Sequence, residues 1–495
     1  MSSLSQTQAL FPLALVAAST LVLVLADSLL MHPDNRTKGS EVGPAKGTFL
    51  TVLAALVVFI ALLVSASNFG QAPRAVVTEG SMLVVDLPAS FAMTLLCGGT
   101  LLTIWLSLTY LPVAKLHFGE FYTLLLFSLS GALGLVCAGN LISLFVSIEL
   151  MSLPIYVLAG FDRGSSRSNR AGTNLFMSGA FASALSLYGI AMIYGATGHF
   201  DYPGIRQALD SSPSLVLGGL GLLLVGLLTR VGAVPFHAWL PDTAAGAPVV
   251  VTAFIPVTFV SASGFALIRV FDSLFPGTFP GAHDSITALA GASMLIGAVM
   301  ALREANVKRM FAYAGVVHAG FLLVALSAPG VEGRSVAFLQ IAVFMFMQVG
   351  ALGTIASIAR TGTQWERLSE FAGLAERRPI LAAALTLFLL SLSGMPGTSG
   401  FVSRFSVMSF AVGSGQIVLA LMIGVASVVL FAAYLRIATA MYMGKPAIGR
   451  NEPLPFLAVL AISICALVTL YLGLFPGEGP ASFNFLDLVR RAAEV

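Results

Sequence analysis

Residues Leu227–Pro248 read LLTRVGAVPFHAWLPDTAAGAP. An apolar run that starts at Leu215 ends here, and Arg230, Gly232 and Pro235 follow in quick succession. Proline removes a backbone donor and clashes with the preceding turn, so the helix must break. In a bilayer the freed backbone groups need protein or water partners. Leu390–Met408, LSLSGMPGTSGFVSRFSVM, repeats the recipe with Gly394, Pro396, Gly397, Gly400 and then Arg404. Two interrupted helices in corresponding halves of a chain predict an internal repeat and an ion path near mid-membrane. The plainer alternative is a pair of ordinary proline kinks.

Working outward, the 495-residue chain is 57% hydrophobic and 9% charged. Soluble domains carry about 25% charged residues. With a mean hydropathy of +0.94 this predicts a polytopic, all-α membrane protein. A spanning helix needs about 20 apolar residues, and the chain offers about fourteen such runs. The seventh run covers 213–232, the sixth 174–195, and the twelfth 379–395 with a broken continuation to 412. The start, MSSLSQTQ, has no basic segment ahead of its apolar run, so no cleaved signal peptide is expected.

Net charge of +3 gives no reason to expect nucleic acid as a partner. Basic residues instead alternate between loops. Arg36, Lys38, Arg163, Arg167, Arg170, Arg303, Lys308, Arg309, Arg360, Arg367 and Arg450 belong to the richer set. Arg74, Arg206, Arg334, Arg490 and Arg491 form the poorer one. The positive-inside rule then predicts both termini on the outer side. Cys97, Cys137 and Cys465 stand singly in apolar runs, with neither CxxC nor zinc spacing, and read as packing residues. No GxGxxG after a strand, Walker loop or haem motif occurs, so nucleotide or redox chemistry is expected on other chains.

Charges inside the membrane are costly and usually functional. Glu149 lies within the fifth run and has no partner at helical spacing, which makes Arg230 its best candidate counter-ion. A protonated carboxyl in an apolar site, or a purely structural ion pair, are the alternatives. Arg404 and Arg436 lack an acidic partner in their own helices, and Arg436 could snorkel to the interface. His237 and His318 are the histidines in embedded stretches and suit proton relay. Each could equally bridge two helices by hydrogen bonding. Asp242 is placed to cap a helix that begins near Ala244.

SIELMSLPIYVLAGF, AVPFHAWLPD with GAPVVVTAF, NVKRMFAYAGVVHAGFLLVAL and GMPGTSGFVSRF together resemble the antiporter-like membrane subunits of respiratory complex I, the proton-translocating NADH-quinone oxidoreductase. The tripeptide GAP, the loop YGATGHFDYPGIRQAL and the length are similar to the N-type branch of that family. The resemblance implies fourteen spans with two inverted five-helix repeats, each carrying a broken helix. It divides the chain into 1–118, 119–271, 285–443 and 454–495. It implies participation in proton translocation coupled to electron transfer from NADH to quinone, with NADH, FMN, iron–sulfur clusters and quinone held by other subunits. It implies K- and M-type membrane neighbours and a bacterial inner (plasma) membrane location.

The family pairs a glutamate in the fifth span with a lysine in the seventh, and places further lysines in spans six, eight and twelve. Here the glutamate is Glu149, but the lysine positions fall on Asn174, Arg230, Val260 and Arg404. No lysine occurs between Lys115 and Lys308, or between Lys308 and Lys445. Arginine stays protonated, whereas a buried lysine can release a proton. Glu149, His237, His318 and Lys308 remain as the titratable candidates, with Arg230 and Arg404 as fixed charges. This leaves three functional expectations: a complex I subunit, a subunit of a multisubunit cation/proton antiporter, or a proton-silent structural subunit.

Overall fold

The computed structural model describes residues 6–30, 44–70, 76–116, 119–208, 213–275, 281–328, 330–358, 366–445, 454–476 and 485–493. Of the basic residues used above for orientation, Arg36, Lys38, Arg74, Arg360 and Arg450 lie outside the described residues. The first six spans are α1 (Gln6–Leu30), α2 (Pro44–Gly70), α3 (Leu87–Val113), α4 (Glu120–Val136), α5 (Leu141–Ala159) and α6 (Ser166–Thr197). A short hairpin of β1 (Val76–Val77) and β2 (Val84–Val85) precedes α3, and α7 (Tyr202–Gln207) follows α6. The seventh span is split into α8 (Pro213–Val231) and α9 (Trp239–Gly246). The eighth is α10 (Val249–Ile255), a π-helical turn over Pro256–Val260, and α11 (Ser261–Leu274). Spans nine to eleven are α12 (Ala282–Arg303), α13 (Val307–Ala325) and α14 (Val331–Ile358). After the single turn α15 (Leu374–Arg377), the twelfth is split into α16 (Pro379–Ser393) and α17 (Ser399–Gly413). α18 (Ile417–Met443) and α19 (Phe456–Leu474) complete the set, and α20 (Phe485–Ala493) is short and amphipathic.

Twelve helices among the described residues are long and apolar enough to cross a membrane, and α4 and α16 are shorter apolar helices. Together they supply the expected fourteen spans. The order of burial explains the layout. α10–α11, α13 and α14 are buried nearly throughout, whereas less than half of the apolar length of α1, α6, α18 and α19 is buried. Helices apolar on every side are what a bilayer or a buried centre selects. The outer helices face lipid or neighbouring chains, and the central ones fill the middle, with charges such as Arg269 and Lys308 paired.

Matching contacts recur in the two halves. α4 packs on α5 as α12 packs on α13; α6 packs on α8 and α9 as α14 packs on α16 and α17. The closing helices α11 and α18 return to α4 and α12. Five spans is an odd number, so the second set of five enters the membrane from the side opposite to the first. The halves are inverted by that parity alone.

Small residues permit the closest crossings. A Cβ on Gly189 would lie 2.5 Å from the carbonyl oxygen of Gly219, so α6 and α8 meet backbone to backbone. Local differences from the sequence reading have identifiable causes. α6 begins at Ser166, not at 174, because Ser165 caps it by accepting from the Ser168 amide and its polar first turns extend beyond the apolar run. The helix expected near Ala244 begins at Trp239, which puts Asp242 inside its first turn and corrects its assignment as a cap. Asp242 instead pairs with Arg309, Oδ1 to Nη2 at 3.1 Å.

Candidate charge-transfer site

Each broken span ends its first half on a left-handed glycine, Gly232 at φ 80° and Gly394 at φ 83°. Only glycine adopts that region without steric cost, so α8 and α16 stop turning at the same relative point. The freed polar groups find protein partners. At the first break Trp239 Nε1 donates to the Thr229 carbonyl at 2.6 Å and the Val234 amide to Ser293 Oγ at 3.0 Å. At the second, the Gly400 amide donates to Ser391 Oγ at 3.1 Å.

Arg230 closes α8 and is 1% exposed. Its Nη1 donates to its own turn at Gly226 O (3.0 Å), and Nη2 donates to Ser183 Oγ on α6 (2.7 Å). Ser183 in turn donates to Glu149 Oε1 on α5. The direct Arg230–Glu149 separation is 3.4 Å, so the cation reaches the carboxylate both directly and through a hydroxyl. Glu149 stays 30% exposed on a face shared with Val146 and Leu153. Its charge therefore looks outward from the chain, while its counter-ion is sealed inside.

The second break is built differently. Arg404 is 5% exposed and donates to the carbonyls of Leu392 and Ser393, the negative end of α16. Its guanidinium also lies over the Phe321 ring at 5.4 Å. Beside it, Ser403 donates to Gln340 Oε1, and the Gln340 side-chain amide meets His318 Nδ1. His318 is buried and stacked on Phe344 at 4.3 Å. The first half thus pairs arginine with a carboxylate, and the second sets it on backbone carbonyls beside a serine–amide–histidine chain.

The remaining sequence candidates are spread around these two centres. His237 lies in the first break between α8 and α9 and is partly exposed. Lys308, at the start of α13, is 1% exposed and paired with Glu366 at 2.9 Å. Asn174 lines a polar cavity on the arginine-rich end together with Arg167, Arg170 and Glu366. Val260 ends the π-helical turn and borders a small cavity between the two halves. Arg436 donates to Glu304 O at 3.0 Å, capping the carbonyl end of α12. The three cysteines are buried, as packing residues are.

Ser183, Gln340, Ser403 and Glu366 were not singled out by sequence. Ser183, Gln340 and Ser403 are uncharged residues in apolar runs, and only the facing helix reveals what they touch. Glu366, next to Arg367 in a loop, looks like an ordinary solvated carboxylate, and only its burial beside Lys308 distinguishes it.

Residues 138–430 match the family model described as NADH:quinone oxidoreductase/Mrp antiporter, TM. The chain is 35% identical over 492 residues to NADH-quinone oxidoreductase subunit N 1 of Sorangium cellulosum, covering 94% of this chain and 96% of that one. This chain belongs to the NADH-quinone oxidoreductase subunit N family. Subunit N of Mycobacterium tuberculosis is 36% identical over 386 residues, 76% of this chain and 71% of that relative. Among solved structures, a chain of respiratory complex I from Thermus thermophilus with bound aureothin superimposes with a TM-score of 0.77 at 26% identity. The match covers 94% of this chain and 97% of that chain. A chain of an archaeal membrane-bound sulfane sulfur reductase shares the fold, with a TM-score of 0.86 at 23% identity and 99% and 97% coverage. As a subunit N family member, the chain is a multi-pass membrane subunit of an NADH-quinone oxidoreductase, and the other membrane subunits of that complex are its partners.

Proposed function

We propose that this subunit contributes to proton translocation through a charge axis whose working element is the Glu149–Ser183–Arg230 chain. The observation that carries this reading is a fully buried arginine tied to a half-sheltered carboxylate by one hydroxyl. A buried pair of this kind adds little to stability over an apolar core. It is a sensible use of charge where the ionised state must be switched. Arg230 keeps its proton, so it acts as a fixed positive field beside the Glu149 carboxyl. Glu149, His237, His318 and Lys308 are then the groups able to exchange protons. Arg404, held on the carbonyls that end α16, sets the potential of the second half.

On this reading the missing lysines weaken the chain's own half-channels. NADH, flavin, iron–sulfur clusters and quinone reside on other subunits. The neighbours are K- and M-type chains, and the outward face of Glu149 is suited to meet one of them. The repeats run over 119–271 and 285–443, flanked by 1–118 and 454–495. The protein sits in a bacterial inner membrane with both termini outside. The gathering of Arg167, Arg170, Arg309 and Arg367 at one end of the molecule supports that orientation.

The test is the proton-to-electron ratio of the complex in proteoliposomes. Glu149→Gln is expected to lower it while NADH still reduces quinone. An unchanged ratio would mean that this chain completes the membrane assembly without moving protons.

A further inference from the structure

Lys308 is the second residue of α13, and among the described residues it is the only fully buried lysine. Its ammonium lies 2.9 Å from Glu366 Oε1 and donates to the Ala247 carbonyl at 3.0 Å. The other carboxylate oxygen, Oε2, accepts from Arg167 Nη1 and Asn306 Nδ2, each at 3.3 Å. Glu366 is itself 8% exposed, yet it forms part of the wall of an open polar vestibule of about 930 Å³. Arg170, Asn174, Asp242, Glu304 and Arg309 also line it.

A second cavity, of about 20 Å³, lies further along the same seam. Roughly 10–15 Å³ suffices for one water. α9 and α13 border both spaces. Gly246 and Arg309 face the vestibule, whereas Ala244, Phe311 and Ala312 face the inner cavity. Lys308 is next to Arg309 and one helical turn before Phe311 and Ala312, and its partner Glu366 lines the vestibule. Gln348 on α14 lines the inner cavity; it is 2% exposed, and its Oε1 accepts no hydrogen bond from the described residues. A buried amide oxygen without a partner is costly and marks a place for a polar guest.

We infer that Glu366 and Lys308 form the proton-entry valve of this chain, joining the vestibule to the cavity beside Gln348. The Lys308 ammonium gives one proton to water in the inner cavity and becomes a neutral amine. Glu366, having taken one proton from vestibule water, passes it to that amine. Both groups return to their ionised forms; one proton has entered, one has moved on, and no electron is transferred. Lysine suits the step because its charge is readily lost on burial, which the buried arginines cannot imitate. The inference rests on the reading that this chain moves protons. The competing role is a brace that ties the turn at Glu366 to α9 and α13.

The experiment uses the intact complex in proteoliposomes carrying Lys308→Arg, which keeps the brace and the charge but cannot release the proton. Loss of a proton-transfer group slows its step by about 10²–10⁴-fold, so the proton-to-electron ratio is expected to fall. A parental ratio in Lys308→Arg overturns the valve. Gln348→Leu removes the acceptor from the inner cavity and leaves the ion pair intact, so it serves if the first variant does not assemble. Its ratio is also expected to fall, and a parental value again overturns the proposal. Glu149→Gln separates the two levels. If it lowers the ratio and the Lys308 and Gln348 variants do not, the valve fails and the charge-axis reading stands. If all three are parental, both fail.

Discussion

Asp86 and Arg269 grip each other through two hydrogen bonds, Oδ2 to Nη1 at 2.8 Å and Oδ1 to Nη2 at 2.7 Å. The same carboxylate caps α3 by accepting from the Ala89 amide at 2.9 Å. One side chain therefore starts a central helix and fastens it to the end of α11. Asp86→Ala removes the cap, worth about 1 kcal/mol, and strands a largely buried guanidinium, which costs about 3–5 kcal/mol. Asp86→Asn keeps an acceptor for the cap and loses only the charge. Thermal unfolding of the purified complex should rank parent above Asp86→Asn above Asp86→Ala. Parental stability in both variants would remove this pair from the structural account.

Ser183 is the one hydroxyl between the cation and the carboxylate of the first half. Hydrogen bonds to charged groups contribute about 1.5–3 kcal/mol each. Ser183→Ala leaves the 3.4 Å contact as the sole link between Arg230 and Glu149. We expect a lower proton-to-electron ratio, with Ser183→Thr restoring part of it because the hydroxyl returns. If Ser183→Ala pumps like the parent, the bridge is incidental.

Arg230→Lys replaces a cation that keeps its proton with one that can release it. If proton retention limits this subunit, the ratio rises in the variant. Vesicle acidification per NADH oxidised is the readout. No change would show that the local geometry, rather than the cation's acidity, sets the throughput.

Gly394 has φ 83°, and a Cβ there would come within 2.7 Å of the Arg404 side chain. Gly394→Ala pays about 1–2 kcal/mol for the left-handed backbone and also pushes the guanidinium off the α16 carbonyls. Lower thermal stability and a reduced ratio are expected together. Gly424, whose added Cβ meets no atom within 4 Å, is the comparison site. Equal stability in the two alanine variants would contradict the strain argument.

Cys97, Cys137 and Cys465 are buried, so the native chain should be silent to an impermeant maleimide until it is unfolded. Cysteines at the exposed positions Arg170 and Arg206 then report topology. Right-side-out membrane vesicles should label Arg206→Cys, and inverted vesicles Arg170→Cys. Labelling of both from the same side would overturn the orientation.

Span number, inversion and the two break points were legible because a bilayer imposes one rule on every residue. Backbone polar groups must pair within the segment, so length, hydropathy and the pair Gly232/Pro235 or Gly394/Pro396 carry the message locally. Boundaries slipped where polar turns extended a helix, as at Ser166, and the π-helical turn at Pro256–Val260 left no periodic trace.

The chain alone determined that Glu149 and Arg230 lie in the membrane, that lysine is absent between Lys115 and Lys308, and that both breaks carry an arginine. Which charges meet was decided only by packing. Ser183 comes between Arg230 and Glu149, Arg404 turns to carbonyls, and Glu366 folds back onto Lys308 because helices far apart in the chain are brought face to face. Hydrophobicity is a property each residue carries by itself, but the partner of a buried charge is set by which surfaces share the interior.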